Sequence, residues 1–160
     1  MASDSSGERL ERGERRSGTR RLVEGLLEER REMLVLYERA AGVAPYPDGG
    51  EGDEALPRFV ELLVDYMAAG HFGLYQRIAE GRERRRAVRE LAAELYPAIA
   101  ATTDAAMAFN EAFERSARGG DPDETLRERL AALGEALARR IELEDRLIAA
   151  LVPPAPAGDR

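Results

Sequence analysis

Apolar residues recur along this chain at three- and four-residue spacing, and nowhere do they alternate as in a strand. Four stretches hold the rhythm. The first runs from about Thr19 to Ala41, through Leu22, Val23, Leu26, Met33, Leu34 and Tyr37. The second runs from about Glu54 to Gly81, through Leu56, Val60, Leu63, Met67, Leu74 and Ile78; its phase does not slip across Gly70, which predicts one long helix. The third runs from about Arg84 to Arg118, through Val88, Leu91, Leu95, Ile99, Thr102, Ala106, Phe109 and Phe113. Pro97 lies inside it, but the phase survives, so the spacing predicts a bend and not a break. The fourth runs from about Asp123 to Val152, through Leu126, Leu130, Leu133, Leu137, Ile141, Ile148 and Leu151, with Asp121 and Pro122 as its N-terminal turn. The stretches between are rich in Gly, Pro or charge. Four apolar stripes that must bury one another predict an all-α fold, an antiparallel up-down-up-down four-helix bundle over residues 19–152. Residues 1–18 carry no sustained stripe and are expected to be a disordered arm with a short helix around Leu10. The Pro-rich tail, residues 153–160, is expected to be loose.

The second stretch holds an oddity. At about 100° per residue, Leu63, Met67, Leu74 and Ile78 share one arc, with Val64, His71 and Tyr75 on its edge. Asp65, Ala69, Phe72 and Gln76 fall opposite. Phe72 is therefore expected to face water beside an acid, over low ground at Ala68 and Ala69, as partner-binding surfaces often do. The alternative is that Phe72 tucks under the N-terminal arm or a neighbouring loop. Gly70 and Gly73 each cost a helix interior roughly 1 kcal/mol relative to Ala, which implies close approach of another helix or of a partner.

Three ionisable residues point the other way. Arg30 lies amid the apolar arc of the first stretch and Glu144 amid that of the fourth; His71 borders the arc of the second. Buried charge is tolerable only when paired, so the pattern predicts an Arg30–Glu144 ion pair with His71 nearby. A di-metal carboxylate site needs Glu-x-x-His from two helices. This chain has one His, preceded by Met67, Ala68, Ala69 and Gly70, and the metal reading fails on ligand count. No inward Ser or Cys supplies a nucleophile at that level. A polar network that fixes helix register is the expectation; a pH switch through His71 is the other use of such a group.

Composition narrows the partners. The formal charge is −7, which argues against broad affinity for nucleic acid or acidic membranes. All 24 basic residues are Arg. They include two runs, RGERRSGTRR and GRERRRAVR, that read as solvated faces or as patches for an acidic surface. Cys is absent, which removes disulfides and thiolate sites. No apolar run approaches the roughly 20 residues that span a bilayer, and no signal-peptide core opens the chain. A cytoplasmic protein without cofactor or catalytic site is expected.

LVDYMAAGHFGLYQRI, residues 63–78, resembles the signature of the Rsd/AlgQ family, bacterial regulators of the primary sigma factor. RRLVEGLLEERREMLVLYERAAGV resembles the family's first long helix, LYPAI its third, and GEALARRIELEDRLI its last. Together they cover roughly Thr19 to Leu151. The departures are Leu26, where the family often has tryptophan, and a Gly-rich loop around Pro45 to Glu54. The resemblance implies a helical bundle that acts as an anti-sigma factor. It implies binding to the C-terminal, promoter-reading domain of the primary sigma factor, a basic helix-turn-helix module, at the expense of core polymerase and promoter. By the motif Asp65 carries over as the acid that meets an arginine on sigma, with Phe72 an apolar anchor. Some relatives are linked to the phosphocarrier protein of the sugar phosphotransferase system, the alternative partner. An exposed Phe72 is compatible with a monomer or with a weak homodimer.

Overall fold

The computed structural model describes residues 4–42, 52–119 and 123–153. These form α1 (Asp4–Ala40), α2 (Gly52–Ala68), a π-helical turn (Ala69–Tyr75), α3 (Gln76–Ala79), α4 (Arg86–Ala117) and α5 (Asp123–Leu151). Because α2, the π-turn and α3 follow without a gap, they make one rod, and the described residues build four helical rods with no strand.

Many of the buried side chains lie on the four stripes, but Phe59, Tyr66 and Leu147 are buried beside them, while Leu56, Ile141 and Ile148 on them are only half-buried. Leu26 and Met33 come from α1, Phe59, Leu63 and Tyr66 from α2, Leu95, Ile99 and Phe109 from α4, and Leu133, Leu137 and Leu147 from α5. Each such side chain contributes roughly 1.5–3 kcal/mol by leaving water. Edge-on ring contacts join three rods at one level: Tyr37 meets Phe59 at 5.5 Å, and Phe59 meets Phe109 at 6.2 Å. Tyr75 meets Tyr96 further along, at 6.4 Å.

The order of contacts is regular. Going along α1, Leu22 lies against Gly73 and Tyr37 against Phe59. Going along the second rod, Phe59 meets Phe109 and Tyr75 meets Tyr96. At the start of α4, Arg85 bonds the carbonyls of Ala150 and Leu151, while Thr102 and Thr103 further on meet Arg140. The α4 helix runs unbroken through Pro97. Gly42, Gly81 and Gly119 follow the ends of α1, α3 and α4 with positive φ, the backbone state that stops a helix and favours glycine.

The first rod corrects one expectation. The pattern predicts a disordered arm before Thr19, but α1 continues back to Asp4. Its early turns have charge spacing in place of an apolar stripe. Arg12 pairs with Glu8 and Arg15 with Glu11, each one turn apart, and Thr19 Oγ1 bonds the Arg15 carbonyl at 3.0 Å. The expectations for the tail beyond Pro153 and for the Asp121–Pro122 turn lie outside the described residues.

Candidate functional site

Two features of the second rod define the candidate site: an outward aromatic face and an inward polar knot. The π-turn, Ala69–Tyr75, lies between them. Its i→i+5 bonding accommodates one residue more than an α-helix would over the same rise. Residues beyond it therefore lag by roughly 100° behind a straight α count. That lag turns Tyr75 from the edge of the arc to its centre.

The knot is centred on Glu144, which is fully buried in α5. Its carboxylate accepts from four side chains: Arg30 Nη2 at 3.4 Å, Arg140 Nε at 3.3 Å, the Tyr75 hydroxyl at 2.9 Å and the Tyr66 hydroxyl. Arg140, also buried, donates to Thr103 Oγ1 at 2.7 Å and Thr102 Oγ1 at 3.2 Å, and its guanidinium lies over the rings of Tyr66 and Tyr75. Arg30 reaches past Glu144 to the half-exposed Asp145 at 2.7 Å, with its Nε unbonded. Two guanidiniums thus face two carboxylates, and all four rods take part. Burial, and then the charge of Glu144, push the Tyr66 and Tyr75 phenols well above the ordinary tyrosine range. Burial alone would lower Arg30, but its bond to Asp145 and the neighbouring charges raise it.

The structure brings Arg30 and Glu144 together and leaves His71 out. The inward seam of the second rod passes through Gly70. A β-carbon there would stand 3.0 Å from Arg140 Nη2, 3.2 Å from Tyr75 Cε2 and 3.5 Å from Glu144 Oε2. The knot presses on the bare backbone, and no side chain fits between. His71 is exposed instead, its ring edge-on to Phe72 at 4.8 Å. The expected placement of His71 in the network is therefore corrected.

On the outer face, Phe72 is 67% exposed and Val64 50%. Asp65 and Gln76 are exposed, while Ala68 and Ala69 are half-buried. Gln76 donates to Glu80 at 3.0 Å. The Phe72 ring meets the His71 ring edge-on and is otherwise largely open, and the helical arm lies elsewhere, with Gly18 under Arg77. Among the described residues no three of His, Cys, Asp and Glu gather as metal ligands. No helix among them is long and apolar enough to cross a membrane.

Sequence reasoning missed Arg140, Tyr66 and Tyr75 as partners of Glu144. Arg140 carried a signal: Leu133, Leu137, Arg140, Glu144 and Leu147 form one unbroken helical series.

The chain is similar to known proteins along most of its length. The model of the family described as "Regulator of RNA polymerase sigma(70) subunit, Rsd/AlgQ" matches residues 8–152. A regulator of sigma D from Enterobacter sp. (strain 638) is 37% identical over 139 residues, covering 85% of this chain and 83% of that protein. Proteins of the same name from Yersinia enterocolitica and Shigella dysenteriae are 33% and 34% identical, each over 84% of this chain and 83% and 86% of their own lengths.

Proposed function

This chain belongs to the Rsd/AlgQ family of regulators of the RNA polymerase sigma(70) subunit, and from that premise we propose that it is an anti-sigma factor acting in the cytoplasm. It binds the C-terminal, promoter-reading domain of the primary sigma factor one-to-one, and so disfavours that factor's union with core polymerase and promoter. The order of contacts along the rods supports an antiparallel up-down-up-down bundle, which would make a rigid frame for one displayed helix face.

The observation that carries the reading is the exposure of Phe72 on the same rod as exposed Asp65 and Val64. An aromatic anchor in open water, with an acid on the same element, suits a basic helical module that buries the ring and pairs with the carboxylate. Half-buried Ala68 and Ala69 keep the surface between them low. The knot beneath fixes the register of that face from the inside, because Tyr66 and Tyr75 bracket the π-turn and both bond Glu144.

Titration calorimetry against the isolated sigma domain tests the proposal. Asp65→Arg and Phe72→Ala should each weaken binding by about tenfold or more, about 1.4 kcal/mol, with helicity unchanged by circular dichroism. Binding unaltered by both changes overturns the face assignment. Binding of the phosphocarrier protein with none of the sigma domain overturns the anti-sigma reading.

A further inference from the structure

The bundle end that holds the start of α4 and the close of α5 carries a cleft of about 850 Å³, lined by eight arginines and three glutamates. It lies between the early turns of α1, the segment from Arg77 to Arg85, and the end of α5. The concentration of positive charge is notable in a chain whose formal charge is −7. We propose that this cleft is a binding site for a small, multiply charged phosphate anion, separate from the Phe72 face.

Three observations support it. First, the acids in the cleft are already engaged. Glu8 pairs with Arg12, Glu11 with Arg15, and Glu83 with Arg85 at 2.8 Å. Arg16, Arg20, Arg77 and Arg84 make no ion pair among the described residues, so their guanidinium forks remain open to an anion. Such forks match phosphate oxygens two at a time. Second, the walls are tied in place before any ligand arrives. Arg85 donates to the carbonyls of Ala150 and Leu151 at 3.4 and 3.1 Å, which anchors the α3–α4 connection to the end of α5. Burial would raise the Glu83 carboxyl, but bonds from the Arg85 side chain and backbone, with the charges of Arg85 and Arg77, hold it below its ordinary value. Arg77 lies across Gly18, where a β-carbon would sit 3.7 Å from its Nη1, and so spans from the second rod to α1. Third, the size fits. Clefts of about 300–1,000 Å³ take single small molecules, whereas an extended nucleic acid would meet the chain's overall negative charge outside the cleft.

Calorimetry with inorganic tripolyphosphate on the full chain tests the site. One saturable site is expected, weakening as salt rises. Arg16→Ala with Arg84→Ala, both exposed positions, should weaken it about tenfold or more, and Arg77→Ala alone should also weaken it. Arg58→Ala with Arg139→Ala removes the same charge from exposed positions outside the cleft and should leave it unchanged. Equal weakening by the control pair, absence of saturation, or tighter binding of a single-stranded oligonucleotide at several sites overturns the proposal. None of these results depends on sigma binding, so the two proposals fail separately.

Discussion

Replacing Glu144 with alanine tests the polar knot most sharply. The change removes the acceptor shared by Arg30, Arg140, Tyr66 and Tyr75. The loss falls unequally. Arg30 keeps Asp145 at 2.7 Å, and that acid is 56% exposed, so its charge stays matched near water. Arg140 has a 1% exposed side chain and is left with two threonine hydroxyls, neither charged. An uncompensated buried charge of that kind costs about 3–5 kcal/mol, a third or more of the stability of many domains. Asp145→Ala should cost no more than about 1 kcal/mol, because the acid lost is itself exposed and Arg30 keeps Glu144 at 3.4 Å. Urea unfolding followed by circular dichroism measures both. With a slope of about 2 kcal/mol per molar, Glu144→Ala should move the midpoint down by about 1.5–2.5 M at unchanged slope. Joining Arg140→Met to Glu144→Leu should recover most of that loss, since an apolar pair of similar size leaves only Arg30, which Asp145 still matches. A Glu144→Ala cost below about 1 kcal/mol would refute the account, for it would mean water reaches Arg140.

Two further outcomes follow from the same packing. Gly134→Ala should destabilise by about 1–3 kcal/mol through overpacking, more than the roughly 1 kcal/mol that alanine gains as a helix former. A β-carbon there would stand 2.7 Å from Tyr37 Cζ, forcing the ring off Phe59 and its hydroxyl off the Leu130 carbonyl; unfolding midpoints at or above the parent's would contradict this. The buried phenols predict an alkaline limit. Tyr66 and Tyr75 keep their protons in the folded chain at pH values where the unfolded chain, ionising near pH 10, has lost them. Their contribution to stability is whole below about pH 10 and fades as pH rises through the higher folded values. Phenolate absorbance should show late-titrating tyrosines in the native protein, with a shallower alkaline loss of stability in Tyr75→Phe; a single transition near pH 10 for all five tyrosines would exclude it.

The four rods were legible because burial writes a period into sequence, and Arg30 and Glu144 because each interrupts an apolar arc alone. Arg140 was hidden by Ile141. A count of 100° per residue does not decide which of two neighbours points inward when both fit the arc, and hydrophobicity alone favours Ile141. Half-exposed Ile141 beside buried Arg140 shows that the demand of Glu144 for a cation outweighed the apolar preference. The misplaced His71 has a different cause. It lies only at the edge of the arc, like half-exposed Val64, and the inward seam passes through its neighbour Gly70, a residue with no side chain to mark it as buried. The helical start of α1 escaped for a third reason: it rests on charge spacing and local propensity, to which a search for apolar stripes is blind.

The π-turn also bears on how the chain tolerates genetic change. A turn of this kind is, in effect, one inserted residue absorbed without disturbing the helix on either side. Loss of the codon for His71 or Phe72 would let the backbone relax to ordinary α geometry, with Gly70 still against the knot and Tyr75 and Ile78 still aimed where they now point. Such a shortened descendant would fold and yet display a different residue at the position Phe72 now holds. The outer surface is thus free to drift by deletion while the interior stays under constraint.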